Sequence, residues 1–142
     1  MWNPKNPSVA NVEKLKRKID KLRKGTIVRL GGMTDCFQPI ELDNRITYKI
    51  IKYLNKRRIG YLIVTKSSIV ANDEYLKIYD KDLAHFQITV TTTDDSKSVK
   101  YEKATVPSKR IEAIEKLYKN GFDVQVRLSP FIYEYIDFDI LN

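Results

Sequence analysis

The feature that most constrains the fold is a fourfold alternation between segments with helical apolar spacing and short apolar runs. Apolar residues recur at helical intervals in residues 12–22, 46–54, 74–79 and 107–118. The short runs, rich in β-branched residues, are residues 26–30, 61–65, 86–91 and 123–128. Asn11 suits the N-cap of the first helix, and Gly25 suits its left-handed stop. The polar stretch 92–98 is predicted to be a loop.

This order, α-β-α-β-α-β-α-β, predicts an α/β protein with parallel strands joined by right-handed crossovers. About four strands are too few to close a barrel, so both edge strands are expected to be open. We therefore expect one domain over residues 1–142 that forms a partial (β/α) TIM-type barrel. An open flavodoxin-like sheet fits the same pattern, and periodicity does not separate the two.

Composition narrows the setting of the protein. The 142 residues include one cysteine, Cys36, so an intramolecular disulfide is excluded and a reducing, cytoplasmic location is expected. No apolar run approaches the ~18 residues of a membrane span, and no membrane association is expected. Net charge is +8, and much of the excess lies at residues 14–24. That segment is either a solvated helix face or a surface that contacts nucleic acid phosphates.

Polar and glycine residues follow each predicted strand, at the end where parallel α/β folds gather ligands. Gly31 and Gly32 follow the first strand, Lys66 the second, and Thr89 and Arg127 lie near the ends of the third and fourth. Together they predict a polar, cationic pocket for a ligand with carboxylate or hydroxyl groups. Each also has a structural explanation. The two glycines suit a tight turn, and Lys66 would be a solvated loop lysine in that reading. Thr89 is a good strand former, and Arg127 would pair with a nearby carboxylate.

Six blocks carry a family resemblance. They are residues 31–41 (GGMTDCFQPIE), 65–67 (TKS), 87–92 (QITVTT), Glu102, 108–110 (SKR) and 126–130 (VRLSP). In this order they resemble the spore photoproduct lyase-like group of the radical S-adenosylmethionine (SAM) superfamily. The resemblance runs from about residue 11 to residue 137.

The resemblance implies roles for the strand-end residues. The Gly31-Gly32 turn would lie near the amino and carboxylate groups of SAM, and Lys66 would contact that carboxylate. Thr89 would hydrogen-bond the methionyl or ribose part, and Arg127 would add a charged contact. Asp35 and Glu41 match acidic positions of the family. The chemistry of these two residues alone assigns them no role.

One departure from the family limits what the resemblance implies. Radical SAM enzymes hold a [4Fe–4S] cluster through three closely spaced cysteines, whereas this chain has only Cys36, at a position the family does not use. The cysteine motif is expected in a missing N-terminal segment or a partner chain, and the chain alone is expected to be a truncated, inactive core domain. The alternatives are a basic nucleic-acid-binding module and a subunit completed by another polypeptide.

Overall fold

The computed structural model describes residues 9–134, which form a single four-stranded parallel sheet. The strands are β1 (Ile27–Leu30), β2 (Gly60–Thr65), β3 (Ala84–Thr89) and β4 (Asp123–Arg127). Each strand pairs with the next along the chain, so the spatial order is β1-β2-β3-β4. The predicted α/β class and the four parallel strands are confirmed. The sheet is open, and a closed barrel is not formed by these residues.

Six α-helices connect and flank the strands in the described part of the chain. They are α1 (Val12–Ile19), α2 (Glu41–Asn44), α3 (Ile46–Arg57), α4 (Asp73–Leu76), α5 (Asp95–Tyr101) and α6 (Pro107–Lys119). The predicted cap of α1 is confirmed, since the Asn11 side chain accepts a hydrogen bond from the Lys14 amide at 3.0 Å. Gly25 has the predicted left-handed conformation. No helix within residues 9–134 has both the length and the apolarity needed to cross a membrane.

Two short helices differ from the prediction. The expected helix at 74–79 is a 3₁₀ turn (Ser68–Ala71) followed by the single-turn α4. The expected loop at 92–98 is wrong in its second half, where α5 begins. The Asp94 side chain accepts hydrogen bonds from the amides of Ser96 and Lys97, and this cap starts a helix that has no apolar stripe to reveal it.

The helices pack against one face of the sheet. Because side chains alternate along a strand and paired residues of parallel strands share a face, register assigns the buried residues to this helix-covered face. They are Tyr61 and Ile63 of β2 and Ala84, Phe86 and Ile88 of β3, which join one core cluster with residues of α3 and α6.

The opposite face is largely polar and is bare except at its carboxyl end, where Val64 and Thr89 are buried. It carries cross-strand pairs: His85 Nδ1 lies 3.1 Å from Asp123 Oδ2, and Gln87 Nε2 donates to Gln125 Oε1 at 3.3 Å. Ile27 on edge strand β1 is 60% exposed. No helix of the described chain covers these polar pairs. Their side chains are therefore accessible to solvent or to another part of the protein.

Candidate functional site

The five residues predicted from the strand ends line a single cleft. Gly31, Gly32, Lys66, Thr89 and Arg127 surround a cavity of about 200 Å³. Four different strands contribute these residues, because the carboxyl ends of β1 to β4 lie at the same edge of the parallel sheet.

Gly31 and Gly32 differ in what their backbones require. Gly31 has a φ of +81°, and a Cβ at this position would overlap the carbonyl oxygen of Val64 in β2. Gly32 has ordinary φ, and a Cβ there would meet no atom within 4 Å. The turn geometry therefore explains the first glycine, whereas the second simply leaves the cleft open at that point.

Asp35 fixes the β1 loop to the end of β2. Its carboxylate accepts hydrogen bonds from the Thr65 hydroxyl at 2.7 Å, the Lys66 amide at 2.8 Å and the Phe37 amide at 2.9 Å. These donors occupy the carboxylate, so Asp35 shapes the wall of the cleft.

Glu41 also has a structural role. It is 3% exposed, and its carboxylate accepts from the Thr47 and Tyr48 amides, each at 2.9 Å, and from the Tyr75 hydroxyl at 2.7 Å. Two of these donors are in the first turn of α3, where unpaired amides favour a carboxylate. Burial, with the bond to Glu41, raises the pKa of Tyr75, so its phenol stays a donor.

Lys66 belongs to a chain of charged groups. Its ammonium lies 2.5 Å from Glu102 Oε2, and Glu102 Oε1 accepts a hydrogen bond from Arg110. Arg110 is fully buried, and it also donates to the carbonyl oxygens of Thr89 at 3.0 Å and Thr105 at 2.5 Å.

Sequence reasoning assigned no site role to Glu102 or Arg110, although both fall in the resemblance blocks. The sequence feature that could have revealed Arg110 is its place on the buried face of α6, in line with Ala113 and Leu117. A charged residue on an apolar stripe indicates a buried partner.

Arg127 and Thr89 offer donors to the cleft. The Arg127 guanidinium donates to the Ser129 hydroxyl at 3.3 Å and forms no ion pair with any residue in 9–134. The structural explanation, a carboxylate partner for Arg127, is therefore not met by the residues that the structure describes. Thr89 is 3% exposed, and its hydroxyl has no hydrogen-bond partner in the same part of the chain. An anionic or hydroxyl-bearing ligand would satisfy both groups.

The surroundings of Cys36 favour its neutral thiol. Burial, strengthened by the negative charge of Asp35, raises the pKa of its thiol well above the usual range, so the neutral thiol predominates at neutral pH. Metal ligation requires the thiolate. Within the described residues, no group of three or more His, Cys, Asp or Glu side chains is arranged to hold a metal ion.

Comparisons with known proteins give one relative. No protein-family model matches the chain, and no solved structure matches it. Over 117 residues the chain is 31% identical to the uncharacterized protein MJ0683 of Methanocaldococcus jannaschii. The match covers 80% of this chain and 44% of the relative, so the chain spans less than half of that protein's length.

Proposed function

We propose that this chain is part of a radical SAM-type (β/α) barrel of the spore photoproduct lyase-like group, and that its strand-end cleft binds the amino-acid end of SAM. The observation that carries the proposal is the convergence of Gly31, Gly32, Lys66, Thr89 and Arg127 on one cleft. Those residues come from four strands widely separated in sequence, and one of them is a cation with no counter-ion among residues 9–134.

The topology supports a barrel segment over a flavodoxin-like sheet. In a (β/α) barrel, neighbouring strands follow sequence order and all helices lie on the outer side. A doubly wound sheet instead changes strand order and has helices on both faces. Here the strands run β1-β2-β3-β4, and the buried core lies on one face only. The bare polar face would then face the barrel interior.

The residues of the cleft fit the amino-acid end of SAM. Arg127 and Lys66 are cations that pair with a carboxylate, and Thr89 can donate to or accept from a polar group. Gly32 leaves room for a ligand to approach the backbone. The cavity, at about 200 Å³, is smaller than the ~300–1,000 Å³ of typical ligand pockets. We therefore expect it to hold one end of SAM, with weak affinity in the isolated chain.

The iron–sulfur cluster of the superfamily does not fit the residues of this chain. It has one cysteine, which is partly buried, and a [4Fe–4S] site requires several thiolates. Cluster ligands would have to come from residues other than these 142, in the same or another polypeptide. We attribute no radical chemistry to the chain alone.

Replacing Arg127 with methionine is expected to weaken SAM binding about tenfold, because a charge-assisted hydrogen bond to the carboxylate is lost. The measurement is an NMR titration of the ¹⁵N-labelled chain with SAM. The control is Lys119→Met, which removes a cation from the exposed face of α6. Equal affinity of the two variants would remove the assignment of Arg127.

Nucleic acid binding is a second candidate, favoured by the surface of α1. Exposed cations at Lys14, Arg17, Lys18 and Lys21 form no ion pair with any described residue. Helix α3 packs beside α1 and adds exposed lysines at 49, 52 and 56. Exposed cations on two neighbouring helices can bind phosphates without sequence selectivity.

For this candidate, the triple variant Arg17→Glu, Lys18→Glu, Lys21→Glu should lose at least tenfold in affinity for duplex DNA at low salt. Its binding should also show a shallower salt dependence, because fewer counterions are released. Fluorescence anisotropy across a salt series measures both. The matched control is Lys77→Glu, Lys109→Glu, Lys119→Glu, which makes the same change in net charge on exposed residues elsewhere. If the two triple variants lose affinity equally, α1 is not a binding surface.

A further inference from the structure

The ion pair of Lys66 is part of a three-residue network in which one carboxylate serves two cations. Glu102 binds Lys66 through Oε2 and Arg110 through Oε1. The side chains of Glu102 and Arg110 are 9% and 0% exposed, and that of Lys66 is 29% exposed. With two positive charges and one negative charge, the network has a surplus positive charge at its most accessible member.

The network also connects the ends of two strands. Lys66 follows β2, and Arg110 donates to the carbonyl oxygen of Thr89, the last residue of β3. A fourth contact, from Arg110 to the Thr105 carbonyl, fixes the loop between α5 and α6. The buried guanidinium thus contacts one of the five cleft residues, Thr89, directly and is connected to a second, Lys66, through Glu102.

Stability alone is a poor explanation for such a network. Burying ion pairs costs desolvation energy that their attraction often only repays, and apolar replacements of the same volume are frequently as stable. A fixed carboxylate beside a lysine does, however, restrict a side chain that otherwise has four rotatable bonds. The lysine ammonium has three donors, and Glu102 uses one of them.

We infer that Glu102 and Arg110 are positioning residues that hold the Lys66 ammonium at the rim of the cleft, where its remaining donors bind the carboxylate of the ligand. Lys66 also lines a neighbouring cleft of about 460 Å³ that Glu102 borders, so an unanchored lysine would have a second space to occupy. The inference rests on the proposed function, with SAM as the carboxylate-bearing ligand.

Glu102→Gln tests the inference with two probes, SAM and 5′-methylthioadenosine, which lacks the amino-acid carboxylate. The glutamine oxygen can still accept a hydrogen bond from Arg110. The glutamine NH2 group then faces the Lys66 ammonium, and because both are donors, Lys66 is released. SAM affinity is expected to fall about fivefold, within the range of coupling between contacting residues, while the affinity for methylthioadenosine stays the same. In a Lys66→Met background, Glu102→Gln should have no further effect on SAM binding.

A merely structural role for Glu102 would lower the affinity for both probes alike, and an inhibitory role would make SAM bind more tightly. Either result overturns the inference. A measurement on the unmutated chain covers the case of a variant that does not fold: the ¹⁵N-lysine ammonium signal of Lys66 should shift on addition of SAM and not of methylthioadenosine. If SAM binds without moving that signal, the inference fails and the proposed function survives. If SAM does not bind the unmutated chain at all, both fail.

Discussion

Replacing Arg110 with methionine is expected to lower the free energy of unfolding by about 3–5 kcal/mol, the range for breaking a buried ion pair by removing one partner. Methionine roughly preserves the volume, so the loss comes from polar groups left without partners. Glu102 would keep Lys66 but lose the donor to its Oε1, and the Thr89 and Thr105 carbonyls would each lose a donor. Urea denaturation followed by circular dichroism measures the change.

The neighbouring Lys109→Met is the matched control. Lys109 is on the same turn of α6 but is exposed and paired with Glu112 on the surface, so its loss should change stability by no more than about 0.5 kcal/mol. The effects of Glu102→Gln and Arg110→Met on stability should add to less than their sum, because both changes disrupt the same Glu102–Arg110 contact. A cost for Arg110→Met no larger than that of Lys109→Met would mean that the network is not buried in solution.

The parallel sheet and the cleft could be predicted because both depend on local patterns combined with one rule. Apolar runs such as 61–65 mark buried strands, and right-handed crossovers bring their carboxyl ends to one edge. Any polar residue just after such a run, as Lys66 is, must then lie near its counterparts. That reasoning needs no knowledge of side-chain contacts, and it gathered five residues that the structure places together.

The Glu102–Arg110 network could not be predicted in the same way. Glu102 lies 36 residues beyond Lys66, in the loop after a helix that the sequence pattern did not indicate. Its partner Arg110 is on α6, and only the packing of that helix brings the guanidinium under β3. Contacts of this kind depend on how loops are placed, which periodicity does not report.

The bare face of the sheet shows a second limit of sequence patterns. His85 and Gln87 alternate with the buried residues Ala84, Phe86 and Ile88, which indicates a face open to water or to polar partners. The pattern alone does not distinguish a solvated sheet from the lining of a barrel. The sequential strand order and the single helix layer favour the second interpretation, and they are visible only in three dimensions.

Replacing Gly31 with alanine is expected to destabilise the fold by about 3 kcal/mol. A non-glycine residue in the left-handed region costs ~1–2 kcal/mol, and the new Cβ would overlap the Val64 carbonyl, so β1 and β2 would have to separate at the cleft. The measurement is the midpoint of urea unfolding, and an unchanged slope would show that the shift in midpoint is a change in stability.

Gly32→Ala is the control that separates turn geometry from ligand access. Gly32 has ordinary φ and open space where the Cβ would lie, so its replacement should alter stability by no more than about 0.5 kcal/mol. Because Gly32 lines the cleft, the new methyl group would nevertheless occupy space that a bound ligand uses. A Gly32→Ala variant with normal stability and weaker SAM binding would show that the second glycine serves the ligand. Normal stability with unchanged binding would instead reduce the Gly-Gly pair to a turn in which only the first glycine is required.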